Sequence, residues 1–149
     1  MIMTWLLILF ALAAGGGFTL QAVVNHNLKL TLNDPVKAGF VSFFVATVIL
    51  LLFSFINRRP WPSPATVSRA PWWIWIGGVF GIFMVLSGII VAPRLGTAVY
   101  ISLIVTGQLL ASLFIDHYGF LGFQQHPINV WRVLGAVFLL CGVVLMRKF

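Results

Sequence analysis

Four polar residues occupy the end of a long apolar run, in the segment GQLLASLFIDHYG that covers residues 107–119. Gln108, Ser112 and Asp116 recur every four residues, and His117 follows directly. That spacing places the first three on one face of a helix. An amide and a hydroxyl can hydrogen-bond a polar ligand, and a carboxylate beside an imidazole can hold a cation or a proton. Asp116 stands out because the 149-residue chain has 2 acidic residues.

A second polar stripe lies in the first apolar run. Ala13, Gly17, Gln21 and Asn25 are also four residues apart, so they form one face that changes from small to polar. The small residues would allow close approach of a neighbouring helix, and the two amides would offer hydrogen bonds. No acidic residue occurs in this run.

The other reactive residue types are scattered along the chain. His26, His117 and His126 lie apart, and the single Cys141 is inside an apolar run, so the spacing typical of a metal site is missing. No candidate nucleophile is placed beside a base. The sequence therefore predicts no catalytic residue, no metal and no cofactor, and it argues against an enzyme.

Composition decides which solvent surrounds these residues. The chain is 61% hydrophobic and 7% charged, with a mean hydropathy of +1.09. A soluble domain is about a quarter charged because its surface must face water. This chain has too few charges to cover itself, so most of its surface must face lipid. We predict an integral membrane protein whose partner is the lipid bilayer.

Five apolar runs are long enough to cross that bilayer. They cover about residues 3–25, 36–56, 72–92, 97–115 and 130–146. A spanning helix needs roughly 20 apolar residues, and strands of a membrane barrel would instead alternate over about ten. The predicted fold class is an all-α membrane protein, with residues 1–149 forming a single five-helix transmembrane domain.

The breaks between the runs carry helix-ending residues. Pro35 suits the first turn of the second helix. The segment 57–71 has four prolines and three arginines, which predicts a water-exposed connector rather than a helix. Pro93 and Gly96 are expected to end the third spanning helix and let the chain reverse.

Counting about 1.5 Å per residue places the polar residues by depth. Gln108 falls near the middle of the membrane, Gln21 falls past the midplane, and Asn25 and Asp116 fall near opposite boundaries. Polar residues inside spans are functional candidates. The predicted substrate-binding residues are Gln21, Asn25, Gln108, Ser112, Asp116 and His117. Helix capping or anchoring at the boundary is the alternative for Asp116, and simple helix packing is the alternative for the amides.

Small residues mark the expected helix contacts. Gly77 and Gly81 form a GxxxG pair, and Gly17 and Gly88 lie in the first and third spans. In lipid, small residues favour association because they let helix backbones approach closely. We predict helix-packing roles for these four glycines.

The distribution of positive residues favours neither orientation of the chain in the membrane. Five spans put the termini on opposite sides, with Arg58, Arg59, Arg69 and Arg132 on the N-terminal side and Lys29, Lys37, Arg94, Arg147 and Lys148 on the other. Orientation follows the Lys/Arg bias of short loops, and the bias here is one residue. Insertion both ways, giving an antiparallel homodimer, is one expectation; a single orientation set by weak differences is the other. With an odd number of spans, the chain looks like half of a ten-helix inverted-repeat transporter.

Four segments in order carry a family resemblance: LQAVVNHNL, GGVFGIFMVLSGIIVAPRLG, GQLLASLFIDHYG and RVLGAVFLLCGVVLMR. They resemble the YdcZ-type branch of the drug/metabolite transporter (DMT) superfamily. The resemblance implies a five-helix protein of the bacterial inner (cytoplasmic) membrane, an exporter, and an antiparallel dimer. The matching motif residues are Gln21, Asn25, Gln108, Asp116 and His117. Small multidrug exporters of similar size place a Glu in the first helix, and the first span here lacks one.

Together these observations favour a membrane transporter that exports an unknown small molecule by alternating access as an antiparallel dimer. A passive channel would need a continuous polar file or charged ring, and the isolated amides do not form one. A lipid-binding or assembly protein without transport activity is the other alternative. The net charge of +7 is scattered over loops and helix ends, which suits lipid headgroups rather than nucleic acid.

Overall fold

A computed structural model describes residues 2–148, and the side chains of Ile2 and Leu121 lie outside the description. Six α-helices occur in this part of the chain. They are α1 (Ile2–Leu32), α2 (Pro35–Asn57), α3 (Pro64–Arg69), α4 (Gly77–Leu95), α5 (Thr97–Tyr118) and α6 (Val130–Lys148). Short 3₁₀ turns cover Trp72–Ile76 before α4 and Phe120–Gly122 after α5.

Five of these segments can cross a membrane by length and composition: Met3–Leu32, Pro35–Asn57, Trp72–Leu95, Thr97–Tyr118 and Val130–Lys148. The prediction of an all-α membrane protein with five transmembrane helices is therefore confirmed. The apolar exterior fits the same conclusion. Phe10 and Phe83 are each 75% exposed on their helices, where water would penalise them and lipid would not.

The first helix is longer than its apolar run predicts. The sequence suggests an end near residue 25, whereas α1 continues to Leu32. At 31 residues it is about 46 Å long, compared with about 30 Å for the hydrocarbon core. Hydropathy reports where lipid ends rather than where the helix ends, because backbone hydrogen bonds can continue into the headgroup region. Asn25 is consequently an interior residue of α1.

Two further boundaries correct the sequence analysis. The connector 57–71 was expected to contain no helix, but Ser63 caps the short helix α3 by accepting a hydrogen bond from the Thr66 N–H. Pro93 was expected to end a helix, but it lies inside the last turn of α4. The helix ends at Leu95 because Gly96 follows with φ of +84°, a conformation that glycine adopts readily.

The chain divides into two compact units, residues 1–90 and 91–149. In the first unit, α1 and α2 form an antiparallel hairpin, and α4 packs on α2. Ala38, Val85 and Ile89 are buried together, with Leu28 and Phe43 packed against them. A small residue at position 38 lets the helices approach closely enough for Ile89 to be completely buried. The prediction of a single five-helix domain stays a prediction.

Also in the first unit, the surfaces of α2 and α4 leave a groove of about 410 Å³. Its lining is entirely apolar and comprises Val36, Gly39, Phe40, Phe43, Gly78, Ile82, Val85 and Leu86. In the second unit, α5 and α6 form the other hairpin. The loop between them positions the polar residues described below.

The turn between α1 and α2 carries a complete N-cap. Asp34 accepts hydrogen bonds from the N–H groups of Val36 at 2.7 Å and Lys37 at 2.9 Å, and Pro35 begins the helix as predicted. These bonds satisfy two backbone donors that have no partner within the helix. The Lys37 N–H is the main reason that the pKa of Asp34 lies below its ordinary value of 3.8; desolvation acts in the opposite direction, and the Val36 N–H adds to the lowering.

Replacing Asp34 with Ala is expected to lower the unfolding midpoint of the detergent-solubilised protein by a few degrees, because two donors lose their acceptor. The depressed pKa means that the ionised cap stabilises the fold above pH 3.8, and that this stabilisation is lost as the pH falls further. Asp34→Asn should retain most of the cap and lose the pH dependence. Thermal unfolding followed by circular dichroism from pH 3 upward measures both effects. Equal midpoints for Asp34→Ala and the unmodified protein at neutral pH would contradict the cap's role.

Candidate functional site

The C-terminal end of α5 is closed by the loop that follows it. Gly119 adopts φ of +63°, and its N–H donates to the Ile115 carbonyl. The next two carbonyls are also satisfied: the His126 N–H donates to Asp116 at 2.8 Å, and the Gln125 side-chain amide donates to His117 at 2.9 Å. These bonds to backbone carbonyls hold the loop against the end of α5, where Asp116 is located.

His117 stabilises the same loop. Its Nδ1 accepts a hydrogen bond from the Ile128 N–H at 3.1 Å, and its ring meets Tyr118 edge-on with a centroid distance of 4.7 Å. An accepting Nδ1 is unprotonated, so a neutral His117 carries its proton on Nε2. Substrate binding by His117 stays a prediction, and it would have to use Nε2.

Asp116 pairs with a residue that the sequence analysis counted only as an orienting charge. Arg132, in the first turn of α6, donates from Nη1 to Oδ2 of Asp116 at 3.1 Å. The same nitrogen donates to the His126 carbonyl at 3.1 Å. The two side chains are 32% and 31% exposed, so the pair is worth about 1 kcal/mol or less in stability. The sequence did contain a signal for this pair: Asp116 lies at the end of one helix, and Arg132 lies at the start of the next, after a short connector.

A groove of about 300 Å³ runs between α5 and α6 beside this ion pair. Its lining residues are Leu109, Ser112, Leu113, Asp116, Arg132, Gly135 and Ala136. The Ser112 hydroxyl donates to the Leu109 carbonyl at 2.9 Å, which leaves its oxygen able to accept a further bond. The groove thus joins an apolar floor to a charged end, which suits an amphipathic ligand.

The sequence-predicted set is only partly brought together here. Ser112 and Asp116 line the groove, whereas Gln108, although on the same helix, is exposed and is not among the lining residues. The stripe on α1 belongs to the other unit. There Gln21 is exposed, and Asn25 is 4% exposed.

The Asn25 region contains polar atoms without partners. Within residues 2–148, no hydrogen bond reaches the Asn25 side chain, and Nδ1 of the neighbouring His26 is buried without a partner. Buried polar groups normally have a partner, since leaving one unpaired costs free energy. His26 was noted in the sequence only as one of three dispersed histidines. Its partnerless nitrogen is visible only once burial is known.

The glycines predicted to pack fall into two groups. A Cβ on Gly81 would lie 3.3 Å from Cζ of Phe43, and Gly88 is buried, so both lie in close surroundings. A Cβ on Gly17 or Gly77 would meet nothing within 4 Å. The helix-packing roles of these two stay predictions. In the part of the chain that the structure describes, no three His, Cys, Asp or Glu side chains are grouped to hold a metal ion.

Comparison with known proteins finds one family that matches nearly the whole chain. The model of a family described as "Putative inner membrane exporter, YdcZ" matches residues 6–145. The chain is also 25% identical over 137 residues to "Inner membrane protein YdcZ" of Escherichia coli (strain K12), a match that covers 92% of this chain and 87% of the relative. No solved structure matches the chain. With five helices able to span a membrane and a family match over nearly its full length, the chain belongs to the YdcZ family of multi-pass inner-membrane proteins, a group described as exporters.

Proposed function

We propose that this protein exports a small molecule across the inner membrane by alternating access, and that its working form is an antiparallel homodimer. The general transporter role rests on membership of the exporter family. The observation that supports the inverted dimer is the odd number of spanning helices combined with nearly balanced positive charge. A five-helix chain inserted both ways supplies the two inverted halves that secondary transporters use.

Inversion would also complete a binding site. Counting spans from the N-terminus, we expect Asn25 near one membrane boundary and Asp116 near the opposite one. In an inverted pair, the partner's Asp116 reaches the same face as Asn25. The partnerless Asn25 amide and the groove beside Asp116 are consistent with two equivalent polar entrances, one at each face.

Cysteine cross-linking tests this arrangement in a Cys141→Ala background, since Cys141 is an exposed free thiol. Asn25→Cys combined with Asp116→Cys should give a disulfide between subunits. Gln21→Cys with Ser112→Cys tests the next turn inward and leaves the Asp116–Arg132 pair intact. Asn27→Cys with Ser112→Cys is the matched control, because Asn27 lies on another face of α1. Equal cross-linking by the control pair, or none by either test pair in a verified dimer, would contradict the arrangement.

Flux measurements test transport itself. Purified protein in liposomes should show saturable uptake that is accelerated by substrate on the opposite side, as an alternating-access carrier requires. High conductance that does not saturate would indicate a channel. Absence of both, with lipid retained through purification, would indicate a lipid-binding or assembly role.

A further inference from the structure

The guanidinium of Arg132 is only partly engaged by the protein. Both of its hydrogen bonds, to Asp116 and to the His126 carbonyl, come from the single nitrogen Nη1. Within residues 2–148, Nε and Nη2 donate to no other group. The ion pair is therefore monodentate. The donors on the other edge of the guanidinium, Nε and Nη2, remain free.

That free edge has a specific chemistry. Two parallel N–H donors match the two oxygens of a carboxylate or a phosphate, and such paired, charge-assisted hydrogen bonds are among the strongest in proteins. The side chain is 32% exposed, so a ligand can reach it. Asp116 pairs with the arginine at Nη1 and leaves the Nε–Nη2 edge available to bind an anion.

The groove beside Arg132 supplies the rest of a site. It has about 300 Å³ of space, near the lower end for small-molecule pockets. Leu109, Leu113 and Ala136 offer apolar contact, and Ser112 offers a hydroxyl. Because Asp116 and Arg132 lie at helix ends, the charged part of the groove is near the membrane boundary and the apolar part continues inward.

We propose that the Nε–Nη2 edge of Arg132 binds the anionic oxygen group of an amphipathic molecule whose apolar part lies along the α5–α6 groove. The ligand class is a carboxylate or phosphate joined to a small apolar body. That this ligand is the exported substrate rests on the transport function proposed above; that it binds does not. Asp116 occupies Nη1 and competes with the ligand for the positive charge of the guanidinium.

A purely structural ion pair predicts a different outcome from an anion site. If the pair served only stability, removing either partner would have the same effect. If Arg132 binds an anion, removing the arginine abolishes binding, whereas removing the competing carboxylate preserves or strengthens it. Arg132→Gln and Asp116→Asn therefore distinguish the two roles.

The test uses isothermal titration of the full-length protein in a nonionic detergent, with octanoate as the anionic probe and octyltrimethylammonium as the cationic one. Octanoate should bind and the cation should not. Arg132→Gln should weaken octanoate binding about tenfold or more, as expected for loss of a charged hydrogen-bond donor. Arg132→Lys should weaken it several-fold, since the charge remains but the paired donors do not. Asp116→Asn should bind at least as tightly as the unmodified protein.

Arg69→Gln is the matched control, because it removes one exposed positive charge outside the groove. Circular dichroism and gel filtration verify folding, and Arg132→Lys keeps a cation beside Asp116 should Arg132→Gln fail to fold. Equal losses of octanoate affinity for Asp116→Asn and Arg132→Lys would overturn the proposal. Tighter binding of the cation than of octanoate, or an equal effect of Arg69→Gln, would also overturn it.

Nanodiscs distinguish a free ligand from a lipid headgroup. Octanoate that binds equally in phosphatidylcholine discs and in discs containing phosphatidylglycerol identifies a free anion as the ligand. Loss of octanoate binding in the phosphatidylglycerol discs, restored in phosphatidylcholine, identifies an anionic lipid. Octanoate binding through Arg132 without saturable flux in liposomes would refute the transport proposal and leave this site standing. Flux that is unaffected by Arg132→Gln and is not inhibited by octanoate would refute the identification of this ligand as the exported substrate.

Discussion

Replacing Arg58 with Asn and Arg59 with Gln is expected to convert a mixed population of orientations into one that is mainly of a single orientation. The unmodified chain has four Lys/Arg residues on the N-terminal side and five on the other, and these changes make the ratio two to five. Each juxtamembrane positive charge is worth about 1 kcal/mol, so two of them shift the ratio of orientations about tenfold or more. The C-terminal side should become cytoplasmic. Asn is used at position 58 because Arg58 has φ of +47°, which Asn tolerates.

The measurement is a tag at each terminus, scored in cells for the side of the membrane that it occupies. In the unmodified protein, each tag should be found on both sides. The reciprocal variant, Arg147→Gln with Lys148→Gln, leaves four charges against three. Its population should stay mixed, with a small shift towards the opposite orientation, because the bias is again one residue. A single orientation in all three proteins would exclude the antiparallel dimer.

Replacing Ile89 with Ala is expected to have the largest effect on stability, at about 1 to 3 kcal/mol. Ile89 is fully buried against Ala38 and Val85, so truncation leaves a cavity between helices. The expected loss is smaller than the full range for soluble proteins, because separated helices would still be in an apolar solvent and mainly packing contacts are lost.

Ile90→Ala is the matched control, since it removes the same atoms from the next position, where the side chain is 40% exposed. Reversible unfolding by a denaturing detergent, followed by circular dichroism in mixed micelles, measures both variants. The packing of α4 described above would be contradicted if Ile90→Ala destabilised the protein as much as Ile89→Ala.

The polar stripes show which features of the candidate site can be predicted from the spacing of residues. Spacing of four residues correctly places Ser112 and Asp116 on one face of α5, and both line the groove. The same pattern includes Gln108, which lies outside that lining. Periodicity shows which residues share a face of one helix. It does not show how far along that face the neighbouring helix makes contact. The substrate-binding roles of the six predicted residues remain predictions.

Hydropathy by itself determined that the chain is an all-helical membrane protein with five spans. Local turn chemistry determined that α2 begins near Pro35 and that α4 ends before Gly96. These features depend on a residue and its near neighbours: lipid requires long apolar helices, and caps are formed within a few residues. Tertiary structure alone decided that Arg132 holds Asp116 through one nitrogen, that His117 supports a loop, and that Nδ1 of His26 is buried without a partner. Each of these depends on residues far apart in the chain or on burial, because a side chain's partners are set by how helices and loops pack in space.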